Sequence, residues 1–176
     1  ARKMLDYVEA HELWSDRCGK LLVPPSESSL DSMEILLKRG LANGVEIHRI
    51  TGQEALELEP RVNTQFDQAL YVPITSVVKP KQVAECVRRD VVNLGATIHY
   101  QTPATAIDAR RGTVQTRMGT FEAGTVINAA GLFADRVAEQ AGLTTQYSFQ
   151  PFKGKYWKHK DPDFSMQRLV YPVPDL

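Results

Sequence analysis

Cysteine is scarce in this 176-residue chain, with Cys18 and Cys86 the only two. Neither sits in a CxxC spacing or beside a histidine cluster. That argues against a disulfide framework or a structural zinc site, and leaves a reducing compartment as the default. His11, His48, His99 and His159 have no sequence-local partner at metal-pair or triad spacing. Each reads as a solvated or edge-of-core side chain, and no metal is expected. An excess of one charge sign is also missing: 21 basic residues face 21 acidic ones, for a formal net charge of zero. The electrostatic case for nucleic acid or an acidic membrane surface therefore fails, and the pairs Arg88-Arg89 and Arg110-Arg111 are too short to make a basic patch. No apolar run approaches the roughly 18 residues that a bilayer span needs, and no signal peptide is visible. The 11 glycines never stand two residues apart. The chain thus has no GxGxxG loop to seat a pyrophosphate on a helix N-terminus. No GxSxG surrounds Ser26, Ser28 or Ser29, which read as capping and loop residues. Glu57 and Glu59, just before Pro60, read as a helix-end charge pair rather than a catalytic acid and base.

What is present suits a globular protein: 43% hydrophobic and 24% charged residues, with length for a real core. Met4, Leu5, Val8 and Leu13 give residues 1–14 a ragged helical stripe. Gly19–Val23 reads as a strand closed by Pro24-Pro25. A helix follows over about 29–43, with Leu30, Met33, Leu37 and Leu41 on one face, Ser28 and Asp31 in its first turn and Asn43-Gly44 at its exit. Val45–Ile50 is strand-like. Thr51 and Glu54 form a capping box for a short helix. Ala69–Val72 is a strand, and Pro80 opens a helix whose face is Val83, Val87, Val91 and Leu94, stopped by Gly95. Short strands are expected at 97–100, 104–108, 113–117 and 125–128, then a helix over 132–141. The tail from Tyr147 reads as strands with bends. The order helix, strand, small meander, buried strand, helix belongs to a nucleotide-binding α/β domain, flanked by α+β segments.

The sharpest local feature is Thr125-Val-Ile-Asn-Ala-Ala-Gly131 followed at once by a helix. A β-branched apolar run suits a strand buried on both faces. The three small residues let a backbone come close to a ligand, and a helix N-terminus beyond them favours an anion. In open α/β sheets ligands lie beyond the carboxyl ends of strands. The alternative is a tight strand-to-helix turn whose small residues serve packing alone.

The same segment carries a resemblance. VINAAGLFADRVAEQAGL (126–143), with HYQTPATAI (99–107) before it, resembles the flavin-contacting region of the D-amino-acid-oxidase-like superfamily of FAD-dependent oxidoreductases. PFKGKYW (151–157) and LVYPVPD (169–175) resemble segments of the L-2-hydroxyglutarate dehydrogenases within it. DRCGKLLV (16–23) and LYVPITSVV (70–78) resemble strands of the same family. The resemblance spans essentially the whole chain, and the subfamily likeness rests mainly on the last 26 residues. It implies the fold class: α/β plus α+β, a fragment of a two-domain enzyme whose Rossmann-like FAD-binding domain interleaves with a mixed-sheet substrate domain. The divisions implied are 1–14 packing on the FAD domain, 15–76 and 144–176 in the substrate domain, and 77–143 in the FAD domain. A central strand over 125–128 running into the following helix is what this reading requires.

Carried over by position, the resemblance implies FAD as cofactor, with Ala104 beside the adenine. Ala129, Ala130 and Gly131 would border the ribityl-pyrophosphate, and Leu132 would follow them. Lys153, Tyr156 and Tyr171 would line the substrate side. The implied reaction is oxidation of a 2-hydroxy acid, L-2-hydroxyglutarate first, with oxygen or a quinone as electron acceptor; no catalytic base is identifiable. The alternatives are another enzyme of the superfamily, such as an amino-acid or sarcosine oxidase or a glycerol-3-phosphate dehydrogenase, or a non-catalytic module completed by a partner. Lys153 replaces the family's arginine, keeping charge but losing bidentate carboxylate recognition. Lys155 reverses an acidic position and Ser76 replaces a strand-end glycine. The family's GxGxxG loop precedes this region, and further catalytic segments follow it. With Ala1 already inside an expected helix, an internal fragment that binds FAD weakly or not at all is the expectation. The expected compartment is cytoplasmic, or mitochondrial in a eukaryote, with peripheral membrane association still compatible.

Overall fold

The computed structural model describes residues 2–143, 146–161 and 163–174. It is mixed α/β and divides into two compact units, one of residues 1–94 and 159–176 and one of residues 95–158.

In the first unit a four-stranded sheet holds β2 (Lys20–Val23), β3 (His48–Ile50), β4 (Ala69–Val72) and β9 (Leu169–Pro172) in the order β3-β4-β2-β9. β4 runs antiparallel to both β3 and β2, while β9 runs parallel to β2, setting Leu21 opposite Val170. Successive side chains of a strand point to opposite faces, and this sheet buries both. Leu22, Leu70 and Val72 pack with Met33, Ile47 and Val173 on one face; Leu21, Val23, Ala69 and Val170 pack with Ala55 and Val62 on the other. That is why LLV and ALYV read as continuous apolar runs rather than alternating ones. The helix α2 (Ser29–Ala42) covers the first face through Leu30, Met33 and Leu37. The helix α3 (Gly52–Leu58) supplies Ala55 to the second. Between α2 and β3 the chain turns through Gly44 at φ +67°, and the Asn43 side chain donates to the Arg39 carbonyl at 2.7 Å.

The remaining elements of this unit are α1 (Arg2–Ala10), the paired short strands β1 (Ser15–Asp16) and β5 (Val77–Val78), and α4 (Pro80–Asn93). Tyr7 on α1 donates its hydroxyl to Asp90 on α4. Its hydrogen bonds to Asp90 and then to Cys86 hold the phenol well above its ordinary pKa.

In the second unit β6 (Ala106–Asp108), β7 (Thr113–Thr116) and β8 (Gly119–Glu122) form an antiparallel meander. Gly112 is required in its first turn. It sits at φ +67°, and a Cβ there would lie 2.1 Å from the Ala123 carbonyl oxygen. A 3-10 turn at Gly131–Phe133 leads into α5 (Ala134–Gln140).

Several expectations are corrected. Neither 97–100 nor 125–128 forms a strand, so the central strand that the flavin placement required is not formed here; of the tail, 147–161 holds no strand while Leu169–Pro172 is one. A strand exists only through neighbours that take its hydrogen bonds, and no described strand pairs with 97–100, 125–128 or 147–161. The helix expected over 132–141 is shortened by the 3-10 turn. The buried face of α4 is Val83 and Cys86, leaving Val87 42% and Leu94 86% exposed, because the side turned to α1 decides which stripe is covered. Leu41, placed on the inner face of α2, is exposed. Ser28 caps α2 by position, without a side-chain bond to the helix.

Candidate functional site

The segment expected to face a flavin lies wholly in the second unit. Ala104 is half-buried one residue ahead of the Thr105 N–H, which donates to the Gln115 carbonyl at 2.8 Å and so fixes the approach to β6. Ala129, Ala130, Gly131 and Leu132 are all exposed. The conformation of this turn has a specific organiser, Asn128. Its Oδ1 accepts from the Ala130 N–H at 3.2 Å, and its Nδ2 donates to the Ala134 carbonyl at 2.8 Å. One amide side chain therefore ties the small residues to the start of α5. Gly131 takes φ +54°, a left-handed conformation that glycine adopts without a Cβ penalty, and nothing lies within 4 Å of where its Cβ would be. A backbone of such residues, open on one side, fits a ligand that must come close to the main chain. The fit rests on the missing side chains; α5, at seven residues, adds little.

Asp135 closes the other end of the turn. Its carboxylate accepts from the Arg136 N–H at 2.7 Å and the Phe149 N–H at 3.3 Å. The Phe149 bond, followed by that of Arg136, holds its carboxyl below the ordinary range. Neither Asn128 nor Asp135 was a candidate from sequence. The signal for Asn128 was available, since an Asn two residues before a turn N–H is the usual Asx arrangement.

The substrate-side candidates divide between the units. Lys153 and Tyr156 belong to the second, in a stretch without regular structure, and Tyr156 is 95% exposed. The Tyr156 ring folds back toward Gly154, where a Cβ would lie 3.2 Å from it. Tyr171 belongs to the first, on β9, with Lys20 Nζ 5.7 Å from its ring centroid. Leu22 is its register partner on β2. Asp175, which completes LVYPVPD, lies outside the described residues. Sequence reasoning also missed the meeting of His11, Cys86 and Asp90, because those positions lie 75 and 79 residues apart along the chain. Among the described residues no helix is long and apolar enough to cross a membrane.

Comparison with known proteins gives this geometry its context. A family model described as DAO, FAD dependent oxidoreductase, matches residues 1–176. An L-2-hydroxyglutarate dehydrogenase of Escherichia coli O17:K52:H18 (strain UMN026 / ExPEC) is 30% identical over 164 residues, covering 91% of this chain and 38% of its own. The mitochondrial L-2-hydroxyglutarate dehydrogenase of Homo sapiens is 26% identical over 191 residues, covering 99% of this chain and 41% of its own. The chain therefore spans about two fifths of the length of these relatives. Among solved structures, L-proline dehydrogenase from P. horikoshii superposes with a TM-score of 0.73 at 20% identity, over 80% of this chain and 39% of that one. The FAD-bound L-alpha-glycerophosphate oxidase from Mycoplasma pneumoniae gives 0.70 at 22%, over 92% and 44%.

Proposed function

The chain belongs to the DAO family of FAD-dependent oxidoreductases, and on that premise we propose that it is part of an enzyme oxidising a 2-hydroxy acid, L-2-hydroxyglutarate first among them. The observation that carries the substrate is the 30% identity over 164 residues to a protein named for that reaction. The bound flavin would supply the redox chemistry, accepting a hydride from the α-carbon. This chain's own part is placement. The turn held by Asn128 gives Ala129, Ala130, Gly131 and Leu132 a backbone that a dinucleotide can approach, and Ala104 borders the adenine. Lys153 and Tyr156, in the second unit, bind substrate carboxylate as a point charge and a hydroxyl donor, and Tyr171, on β9 of the first unit, is kept as a substrate-side residue by the resemblance alone. In this reading 77–143 is FAD domain, and 15–76 with 144–176 is substrate domain. The first 14 residues pack on the former, as the Tyr7–Asp90 bond suggests. The compartment is cytoplasmic, or mitochondrial in a eukaryote, and oxygen or a quinone takes the electrons.

A second reading within the family, a glycerol-3-phosphate or amino-acid oxidising enzyme, draws on the solved structures of that kind that share the fold. Purifying a longer protein that carries this chain together with an upstream strand–GxGxxG–helix separates the two. The expected result is a yellow protein whose flavin band bleaches anaerobically with L-2-hydroxyglutarate and not with sarcosine, glycine or glycerol 3-phosphate. Bleaching by one of the others transfers the reading to that substrate. A longer protein that stays colourless with added FAD sinks both.

A further inference from the structure

One group of side chains in the first unit has no part in binding flavin or substrate. His11 follows α1, and its N–H donates to the Tyr7 carbonyl at 3.1 Å, so Tyr7 and His11 stand one helical turn apart on a common side. Cys86 and Asp90 are also four residues apart, on α4. The two i,i+4 pairs face each other. The Tyr7 hydroxyl donates to Asp90 Oδ2 at 2.5 Å, and His11 Nε2 lies 3.2 Å from the same oxygen. One donor atom each from His11, Cys86 and Asp90 fall within 4.8 Å of one another.

We propose that His11 Nε2, Cys86 Sγ and an Asp90 carboxylate oxygen form a binding site for one divalent cation of zinc type, with water in the fourth position. Imidazole, thiolate and carboxylate are the donor types that zinc takes. Zinc bonds of about 2.0–2.3 Å put tetrahedral donors roughly 3.3–3.7 Å apart. The His11–Asp90 separation is already at that spacing, and the widest pair must close by no more than about 1.5 Å, within the reach of side-chain rotation. Cys86 is 2% exposed, whereas the side chains of His11 and Asp90 are each 34% exposed. The sulfur therefore sits at a dry base, and solvent can reach the open position. The Tyr7 hydroxyl bonds both Asp90 and Cys86, so it must give up the sulfur when the cation binds and can then hold the carboxylate, as hydrogen bonds to a ligating group commonly do. Binding displaces the thiol proton and any proton shared between His11 and Asp90 to solvent.

Co2+ is the probe, titrated into the whole 176-residue chain under reducing conditions and read by its thiolate-to-cobalt charge-transfer band and its tetrahedral d–d bands. The expected result is saturation at one equivalent, with both signals discharged by Zn2+. Cys86→Ala removes the charge-transfer band, while Cys18→Ser keeps it. Because Cys86 is buried, partly exposed His11 supplies the second variant: His11→Gln, with unchanged circular dichroism, weakens Co2+ binding by roughly tenfold or more. No sulfur band at one equivalent, a band that follows Cys18, or unaltered affinity in His11→Gln overturns the proposal. None of these outcomes depends on flavin or turnover.

Discussion

Glu59 is 1% exposed and yet carries a carboxylate, which is costly unless every lone pair is used. Here Oε2 accepts from the N–H groups of Gln167 at 2.6 Å and Arg168 at 3.0 Å, and Oε1 accepts from the Arg61 N–H at 3.2 Å. One side chain at the end of α3 thus stitches the approach to β9, 108 residues away. Burial pushes this carboxyl upward, but the bonds from Arg168, Arg61 and Gln167, with the Arg61 charge, outweigh it and leave it below the ordinary range. Glu59→Gln turns one acceptor into a donor facing N–H groups, so a loss of about 1–3 kcal/mol in urea unfolding is expected. The pH dependence has a definite sign. A carboxyl depressed in the folded state stabilises above its unfolded value of about 4.3 and loses that contribution as pH falls through the folded value. The gap between wild type and Glu59→Gln should therefore shrink as pH drops below about 4.3. A gap constant down to the acid transition would show that the carboxylate is not the source. The helix-end position of Glu59 was legible beside Pro60; its partners were not, because no local pattern announces a bond across 108 residues.

At the scale of elements, the starts of helices were the most legible features. Their signals are local: Pro80 at the first position of α4, and the reciprocal box of α3, where Thr51 Oγ1 accepts from the Glu54 N–H at 3.2 Å and the Thr51 N–H donates to Glu54 Oε2 at 2.7 Å. The bond from the Thr51 backbone, then that from its hydroxyl, holds the Glu54 carboxyl below its ordinary range. Thr51→Ala removes the hydroxyl half of the box and should cost about 1 kcal/mol in thermal or urea unfolding. Thr51→Ser should restore most of it, since serine keeps the acceptor. An alanine variant as stable as wild type would mean that packing of Ala55 against Leu21 and Ala69 alone holds α3. Strands at 97–100 and 125–128 failed for the opposite reason. Composition marks a segment as strand-forming, but pairing is a property of its neighbour. The buried stripe of α4 shows the same limit. Val83, Val87, Val91 and Leu94 make a regular apolar row, whereas the row covered in the structure runs through Cys86 and meets α1.

At the scale of the whole molecule, the chain leaves its first unit after α4, builds the second from residues 95–158, and returns to lay β9 beside β2. The boundary near residue 94 is set by packing, and no local sequence signal marks it. The candidate cofactor segment is an exposed part of this design. Val126 is 39% and Ile127 82% exposed, and Ala129 to Leu132 lie open. Full burial of such a side chain is worth about 1.5–3 kcal/mol; Ile127 forgoes most of it and Val126 a smaller part, and the segment has no ladder to hold it straight. Binding FAD to such a segment must also order it, and ordering costs about 1–2 kcal/mol per residue of backbone. Without a GxGxxG loop to add pyrophosphate contacts, that cost stands against few gains. The 176-residue chain should therefore bind FAD at least about a hundredfold more weakly, by flavin fluorescence titration, than a longer protein carrying an upstream strand and GxGxxG loop; a difference of that size needs only about 2.7 kcal/mol. Amide exchange gives the physical reason its own check. The N–H groups of Val126, Ile127 and Asn128 should exchange fast in the short chain and slowly in the longer one, with or without FAD, if strand pairing is what organises the turn. Protection that appears only when FAD is added would assign that role to the cofactor, and tight binding by the short chain would show that the turn held by Asn128 suffices alone.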